Sequence, residues 1–191
     1  SEMCIRDRAG IYYYNEHNDA RFAQINGFRL FNPANAGSLL DYDRLLENNT
    51  DAIAGYFQAD WRLSDQFSLT TGIRFTDERK TLGITHFTDV NPALVGPTTS
   101  TFSTTDVVNA GVPTRLKTNI WTPRFVFEYT PNDSLLLFAS ATKGFKSGGW
   151  NARGVNADQL QAFGAEKTWS YETGFKSEWL DQRLRVNLTG F

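Results

Sequence analysis

Apolar and polar residues alternate along much of the chain with a period of two. From residue 53 to residue 63 the odd positions form an apolar face and the even positions a mostly polar one. Residues 64–66 (SDQ) have the composition of a turn, and residues 67–76 resume the alternation. Because successive side chains of a strand point to opposite faces, two such runs joined by a short polar segment predict an antiparallel hairpin.

The same hairpin unit occurs twice more along the chain. In each case an alternating run is followed by a short polar turn, residues 131–133 (PND) or residues 181–183 (DQR), and then by a second apolar-rich run. A weaker alternating run precedes the first hairpin. The pattern therefore predicts seven antiparallel strands: residues 10–15, 53–63, 67–76, 121–130, 134–143, 169–179 and 184–189.

Short and long connections alternate between these strands. Structureless links of more than about 15 residues are uncommon in a compact soluble domain. They are normal in transmembrane β-barrels, which have short turns at one end and long loops at the other. We therefore predict an all-β fold: a partial transmembrane antiparallel β-barrel with short periplasmic turns and long extracellular loops. The turns lie near residues 65, 132 and 182, and the long links span residues 17–50, 82–116 and 147–166.

Aromatic residues mark the ends of the predicted strands. Trp169 and Trp179 lie on one face, ten residues apart. At a rise of about 3.3 Å per residue and a tilt near 40°, this spacing corresponds to about 25 Å along the barrel axis, the height of an apolar membrane band. Aromatic rings that carry an N–H or O–H group favour membrane interfaces. We expect Trp61, Phe67, Tyr129 and Trp179 in a periplasmic girdle, and Trp121 and Trp169 in an outer one.

Composition adds limits to this picture. A net charge of −2 and a pI near 5.7 provide no basic field for nucleic acid. The balance of 40% hydrophobic and 21% charged residues excludes a disordered chain. The purely apolar stretches are too short for a transmembrane helix. Aromatic residues make up 14% of the chain, an excess that the two girdles would account for.

The first eight residues differ from everything that follows. The peptide SEMCIRDR resembles the translation of a sequencing adapter, so we expect residues 1–8 to be non-native and residues 9–191 to be barrel. Met3 and Cys4 are the only methionine and cysteine of the chain, and the remainder is therefore free of thiols, which fits an exported protein. We also expect both ends to be truncations, with Phe191 in mid-strand.

Candidate catalytic chemistry is sparse. His17 and His86 fall in predicted loops, far apart and without the spacing of a metal or nucleophile site. We therefore predict no catalytic residue, no metal site and no cofactor, and do not expect an enzyme.

Charged residues instead follow the polar faces of the predicted strands. Barrel interiors are polar, and opposite charges on adjacent strands pair there or contact whatever fills the barrel. We expect the following residues to face the lumen: Asp60, Arg62, Arg74, Glu78, Arg124, Glu128, Glu172, Lys176, Glu178 and Arg185.

A second group of polar residues lies at the predicted extracellular end, next to a glycine-rich segment. Tryptophan and arginine are common binding anchors, and arginine or lysine suits an anionic ligand. We predict that ligand contacts come from Lys146, Trp150, Asn151 and Arg153.

Four short stretches resemble TonB-dependent outer-membrane receptors. They are residues 71–76 (TGIRFT), 122–124 (TPR), 144–151 (GFKSGGWN) and 171–176 (YETGFK). Each match is short, but the four occur in the right order and each falls on or at the end of a predicted strand. The resemblance covers residues 9–191.

This resemblance implies a bacterial outer-membrane receptor for energy-dependent uptake of a siderophore-like or other scarce nutrient, such as iron. It implies a barrel of about 22 strands. It also implies a plug domain and a TonB box, neither of which we recognise in this chain. The expected partners are outer-membrane lipid, the plug, the TonB energy-coupling complex and the nutrient ligand. Two alternatives stay open: a passive porin-type barrel, and a soluble β-sandwich carbohydrate-binding module.

Overall fold

The computed structural model describes residues 5–24, 42–88, 101–154 and 156–191. Nearly all of these residues belong to β-strands. The elements are β1 (Ile5–Gln24), β2 (Tyr42–Arg62), β3 (Phe67–Thr88), β4 (Phe102–Ser103), α1 (Thr104–Asn109), β5 (Arg115–Asn132), β6 (Leu135–Lys146), β7 (Gly149–Trp150), a 3-10 turn (Ala157–Gln159), β8 (Ala162–Phe163), β9 (Glu166–Trp179) and β10 (Leu184–Gly190).

Seven long strands form one antiparallel sheet in the order β1-β2-β3-β5-β6-β9-β10. The short β4 pairs with the end of β3, and β7 pairs with β8 in a separate two-stranded sheet. Each long strand thus lies beside the long strand that precedes it in the chain, which is the meander of a barrel wall. The predicted seven strands and the open, partial barrel are confirmed.

The strands are longer than the alternation predicted. β1 runs from Ile5 to Gln24 instead of residues 10–15, β2 begins at Tyr42, and β3 ends at Thr88. The predicted links of residues 17–50 and 82–116 are therefore wrong in their bounds, because both ends of each belong to strands. In these extensions both faces carry polar residues, so the period-two contrast disappears while the backbone ladder, which does not depend on side chains, continues.

β1 also includes part of the octapeptide that the sequence analysis set aside. Residues 5–8 pair with residues 58–61 of β2. The non-native origin of residues 1–8 stays a prediction.

The register assigns the residues of the seven long strands to one of two faces, apart from the irregular end of β5 after Tyr129. Odd-numbered residues of β1, β2, β3, β5, β6 and β9 share one face with even-numbered residues of β10; we call it the outer face, and the opposite side the inner face. Large apolar side chains are exposed on the outer face, Ile73 at 44% and Phe125 at 46% among them. Large apolar side chains that follow one another across a face mark an interaction surface, in this case the surface that meets lipid.

Aromatic side chains lie in two rows on the outer face. Near the short turns, the Phe67 ring stacks on Tyr129 at 4.4 Å between centroids. Toward the long-loop end, the Phe75 ring packs on Trp121 at 4.8 Å. The other predicted girdle residues share this face: Trp61 and Trp179 lie near the short turns, and Trp169 lies toward the long-loop end. The indole N–H of Trp61 donates to Oγ1 of Thr71 at 3.0 Å, which satisfies its only polar group within an apolar surface.

Gly174 is a position where the sheet leaves no room for a side chain. A Cβ at this residue would collide with the backbone oxygen of Leu188 and lie 2.9 Å from Cζ of Phe138. We expect Gly174→Ala to lower the free energy of unfolding of the receptor containing this chain by about 1–3 kcal/mol, because backbone has to shift to relieve the overlap. Urea unfolding in lipid vesicles measures this loss. Gly144→Ala is the matched control, since its Cβ would meet nothing within 4 Å; equal losses in both variants would contradict the explanation.

Candidate functional site

At the long-loop end, two connecting segments fold back onto the inner face. The first contains β4 and α1, and the second contains β7, the 3-10 turn and β8. Together with the ends of β2 and β3, they bury a hydrophobic cluster where a barrel wall would otherwise be polar. Its members are Leu46, Leu82, Ile84, Phe102, Val107, Val112 and Leu160.

The helix of the first segment is held by its N-terminal residues. The backbone N–H and the hydroxyl of Ser103 both donate to Oδ2 of Asp106, at 2.7 Å and 2.9 Å. These bonds lower the pKa of Asp106 below its usual value. Thr104 Oγ1 accepts from the N–H of Ile84 at 2.8 Å, which fixes the helix to β3. The period-two pattern gave no sign of this helix, although Ser103 followed by Asp106 three residues later is a sequence signal for a helix start.

Arg44 ties the second segment to the sheet. It lies on the inner face of β2, and only 1% of its surface is exposed. Its Nε donates to Nδ1 of His86 at 3.1 Å, and its two terminal nitrogens donate to the carbonyl oxygens of Ala152 and Gly154. A buried guanidinium is stable only when its N–H groups have partners, so these bonds fix where the second segment can lie.

His86 is fully buried beside Arg44. Its ring stacks on Phe102 at 4.5 Å between centroids, and its backbone oxygen accepts from the N–H of Thr101 at 2.7 Å. Burial, followed by the positive charge of Arg44, lowers the pKa of His86 to about 4. The neutral imidazole can therefore accept the Arg44 bond at neutral pH. The prediction that His17 and His86 lie in loops is wrong, because they belong to the extended parts of β1 and β3.

In the second segment, the glycine-rich residues after β6 lie against the backbone near β8. A Cβ on Gly148 would lie 2.5 Å from the backbone oxygen of Phe163, so a larger residue would separate β7 from β8. By contrast, a Cβ on Gly144 would meet nothing within 4 Å. At this strand end the close approach of the backbone therefore requires glycine at residue 148 but not at residue 144.

Polar bonds connect the two segments to the wall. The Trp150 indole N–H donates to the Pro113 oxygen at 2.6 Å, joining the second segment to the first. The Ser147 hydroxyl donates to Oε2 of Glu78 at 2.8 Å, and Lys80 Nζ donates to the Gly148 oxygen at 3.3 Å. We call the two segments, together with the ends of β2 and β3 that they cover, the mouth. Glu78 and Lys80, which the sequence did not connect with it, thus help to position it.

A cleft of about 250 Å³ opens beside these contacts. It is lined by the Lys80 ammonium, which also lies 3.8 Å from Oε1 of Glu78, by side-chain amides and by an indole, groups that can hold a polar ligand. Its lining includes Asn48, Thr50, Lys80, Gly149 and Trp150.

The structure separates the four predicted ligand residues into three kinds. Trp150 lines the cleft. Asn151 instead stabilises its own loop: its Nδ2 donates to the Gln159 oxygen at 3.3 Å, and its Oδ1 accepts from the N–H of Arg153 at 3.2 Å. Lys146 and Arg153 are exposed to solvent, Lys146 at the end of β6. Their role in binding stays a prediction.

The charged residues predicted to face the lumen share the inner face. They are Asp60, Arg62, Arg74, Glu78, Arg124, Glu128, Glu172, Lys176, Glu178 and, on β10, Arg185.

Several of these residues have partners on nearby strands. Arg185 pairs with Glu178 at 2.6 Å, and the Arg74 guanidinium lies 5.2 Å from the ring centre of Tyr12. Glu128 accepts from the Ser68 hydroxyl at 3.1 Å. Cross-strand pairing of this kind is how a polar wall satisfies its charges.

Among the residues that the structure describes, no group of three or more His, Cys, Asp or Glu side chains is placed to hold a metal ion. No helix in the described ranges has the length and apolar character needed to cross a bilayer.

Loss of the Arg44 guanidinium should release the second segment. We expect Arg44→Ala to increase hydrogen exchange of the amides of residues 150–154 at least tenfold, because the carbonyls of Ala152 and Gly154 lose their donors. Hydrogen exchange with mass spectrometry on the full receptor measures this. Arg62→Ala, on the same strand near the short turns, is the control. Unchanged protection in Arg44→Ala would show that the Arg44 hydrogen bonds do not hold the second segment in place.

The lowered pKa of His86 predicts a pH dependence of the same contact. The pKa of His86 is about 4 in the folded protein, compared with 6.5 for an ordinary histidine. Between these pH values His86 is therefore protonated when the second segment is released and neutral when it is in place. The free energy that keeps the second segment over His86 should therefore be at its maximum above about pH 6.5 and fall as the pH drops toward 4. Exchange at residues 150–154, corrected for intrinsic rates, tests this, and His86→Gln should remove the slope. The same slope in that variant would assign it to another group.

Comparison with known proteins agrees with this architecture. The family model for TonB dependent receptor-like β-barrels matches residues 5–191. The ferric yersiniabactin uptake receptor FyuA from Yersinia pestis superimposes with a TM-score of 0.68 at 16% identity, covering 92% of this chain and 23% of that one. The alcaligin outer membrane receptor FauA from Bordetella pertussis matches with a TM-score of 0.46 at 17% identity, over 97% of this chain and 29% of that one.

The chain thus spans about a quarter of the length of the receptors it matches. The family match excludes the soluble β-sandwich alternative and favours a receptor over a porin. The chain belongs to the β-barrel family of the TonB-dependent receptors, which are proteins of the bacterial outer membrane.

Proposed function

We propose that this chain forms part of the wall and mouth of a receptor that takes up a scarce nutrient across the outer membrane, with energy delivered through TonB. The family match over residues 5–191 carries this proposal. A plug domain that interacts with TonB belongs to the same proposal, and so does its docking within the barrel.

The proposed ligand is an anionic, siderophore-like chelate. FyuA is an uptake receptor for ferric yersiniabactin, which supports this class. In this chain the support comes from the cleft, where Lys80 and Trp150 lie together, and from the exposed cations Lys146 and Arg153 at the same end. A flat indole and positive groups suit a ligand that combines rings with carboxylate or phenolate oxygens.

The mouth is organised before any ligand arrives. Arg44 and the hydrophobic cluster hold the second segment, and the Trp150 indole is oriented by its bond to Pro113. Preorganisation raises affinity because less conformational entropy is lost on binding. The two loop segments therefore provide a shaped surface for capture.

Binding and uptake by the full receptor test this proposal. With an iron-55 ferric siderophore as probe, we expect Trp150→Ala and the double variant Lys146→Gln with Arg153→Gln to raise Kd about tenfold or more. Arg62→Gln with Arg183→Gln, at the opposite end, removes the same charge and should leave Kd unchanged. Normal affinity in both mouth variants would overturn the assigned site.

Energy dependence is a separate test. Uptake of the probe should stop when TonB is deleted or the proton gradient is collapsed, while binding at the cell surface continues. Uptake that persists without TonB would favour the passive porin-type alternative, whatever the mouth variants do.

A further inference from the structure

The outer face becomes basic immediately beyond the aromatic row at the long-loop end. Trp121 pairs with Phe75, and four residues farther on Lys117 pairs with Arg79. Asp77 lies on β3 between these two pairs. Its carboxylate oxygens are 3.3 Å from Lys117 Nζ and 3.4 Å from Arg79 Nε. Asp51 of β2 lies opposite Arg79 in the register, so two carboxylates balance the two cations here, and the excess positive charge comes from the strands beyond.

The neighbouring strands continue the pattern. Lys143 of β6 pairs with Trp169 of β9, and Lys167 lies two residues beyond that tryptophan, paired with Phe145. Arg115 adds a further exposed cation on β5. We call these five cations the basic rim: Arg79, Arg115, Lys117, Lys143 and Lys167.

The excess of positive charge on the outer face is confined to the rim. On the described parts of β3, β5, β6 and β9, Asp77 is the one acidic residue of the outer face, and no charged residue lies on that face between the two aromatic rows. On the extended parts of β1 and β2, by contrast, acidic residues predominate on the outer face: Asp19, Asp43, Glu47 and Asp51, beside Arg21. The positive charge is therefore local to one section of the wall.

The rim lies at the depth of lipid headgroups. Two residues advance a strand by about 6.6 Å, or about 5 Å along the membrane normal at a tilt near 40°. The basic residues thus span from the level of the aromatic row to about 15 Å beyond it, where headgroups succeed the hydrocarbon. Long basic side chains in this zone extend their charged ends along the surface.

We propose that the basic rim binds phosphate groups of outer-leaflet lipids. The rim is continuous with the lipid-facing apolar band, so a phosphate carried on an acyl chain can occupy both surfaces at once. Guanidinium and ammonium groups are the side chains that recognise phosphate. The site is independent of the proposed uptake function, because it lies on the other face of the sheet from the mouth cleft.

Native mass spectrometry of the full receptor in detergent, with lipid A added as the probe, tests this proposal. We expect the triple variant Lys117→Gln, Lys143→Gln and Lys167→Gln to bind bisphosphorylated lipid A at least tenfold more weakly, and dephosphorylated lipid A as the wild type does. The matched control, Arg62→Gln, Arg124→Gln and Lys176→Gln, removes the same charge from the inner face and should bind both lipids normally. Lys→Arg changes at the three rim positions should retain binding, which separates loss of charge from loss of folding.

Three results would overturn the proposal. Equal weakening in the rim and inner-face triples would reduce the effect to overall charge. Equal wild-type affinity for the two forms of lipid A would remove phosphate from the recognition. Displacement of bisphosphorylated lipid A by inorganic phosphate at comparable concentration would show an anion site without a lipid preference.

Discussion

Backbone pairing between neighbouring strands is the constraint on which the rest of this structure depends. In hydrocarbon there is no water to satisfy an amide or carbonyl group, so each spanning strand must bond to strands on both sides. The meander provides this for the strands between β1 and β10, which are the two edges of the described sheet, with short turns at one end. The same ladder fixes the register, since a slip of one residue would exchange Arg124 and Glu128 with the aromatic residues between them and carry charge into lipid.

Sequence reasoning succeeded where the two faces of a strand meet different solvents. In residues 67–76 and 121–130, lipid on one side and a polar interior on the other produce the alternation that predicted both strands. Farther toward the long-loop end that contrast is lost. Asn15 bonds to Asp51 at 2.6 Å on the outer face, where a spanning segment would be apolar, and the alternation therefore ended before the strands did.

The mouth was less predictable because it depends on contacts between distant parts of the chain. Arg44 contacts residues more than 100 positions away, and no local pattern indicates that a guanidinium on β2 will hold a loop that follows β6. Trp150 was singled out for its chemistry alone, while Lys80 was overlooked because its strand was expected to have ended. Only α1 carried a usable local signal, the Ser103–Asp106 pair.

The extension of the strands beyond the aromatic row sets how far the protein projects from the cell. From Phe75 to Phe87, β3 continues for 12 residues as part of the sheet. This is about 40 Å of strand, or roughly 30 Å along the membrane normal. In this section of the wall the paired ends of β1, β2 and β3 therefore stand above the lipid, and their outer face meets water in place of hydrocarbon.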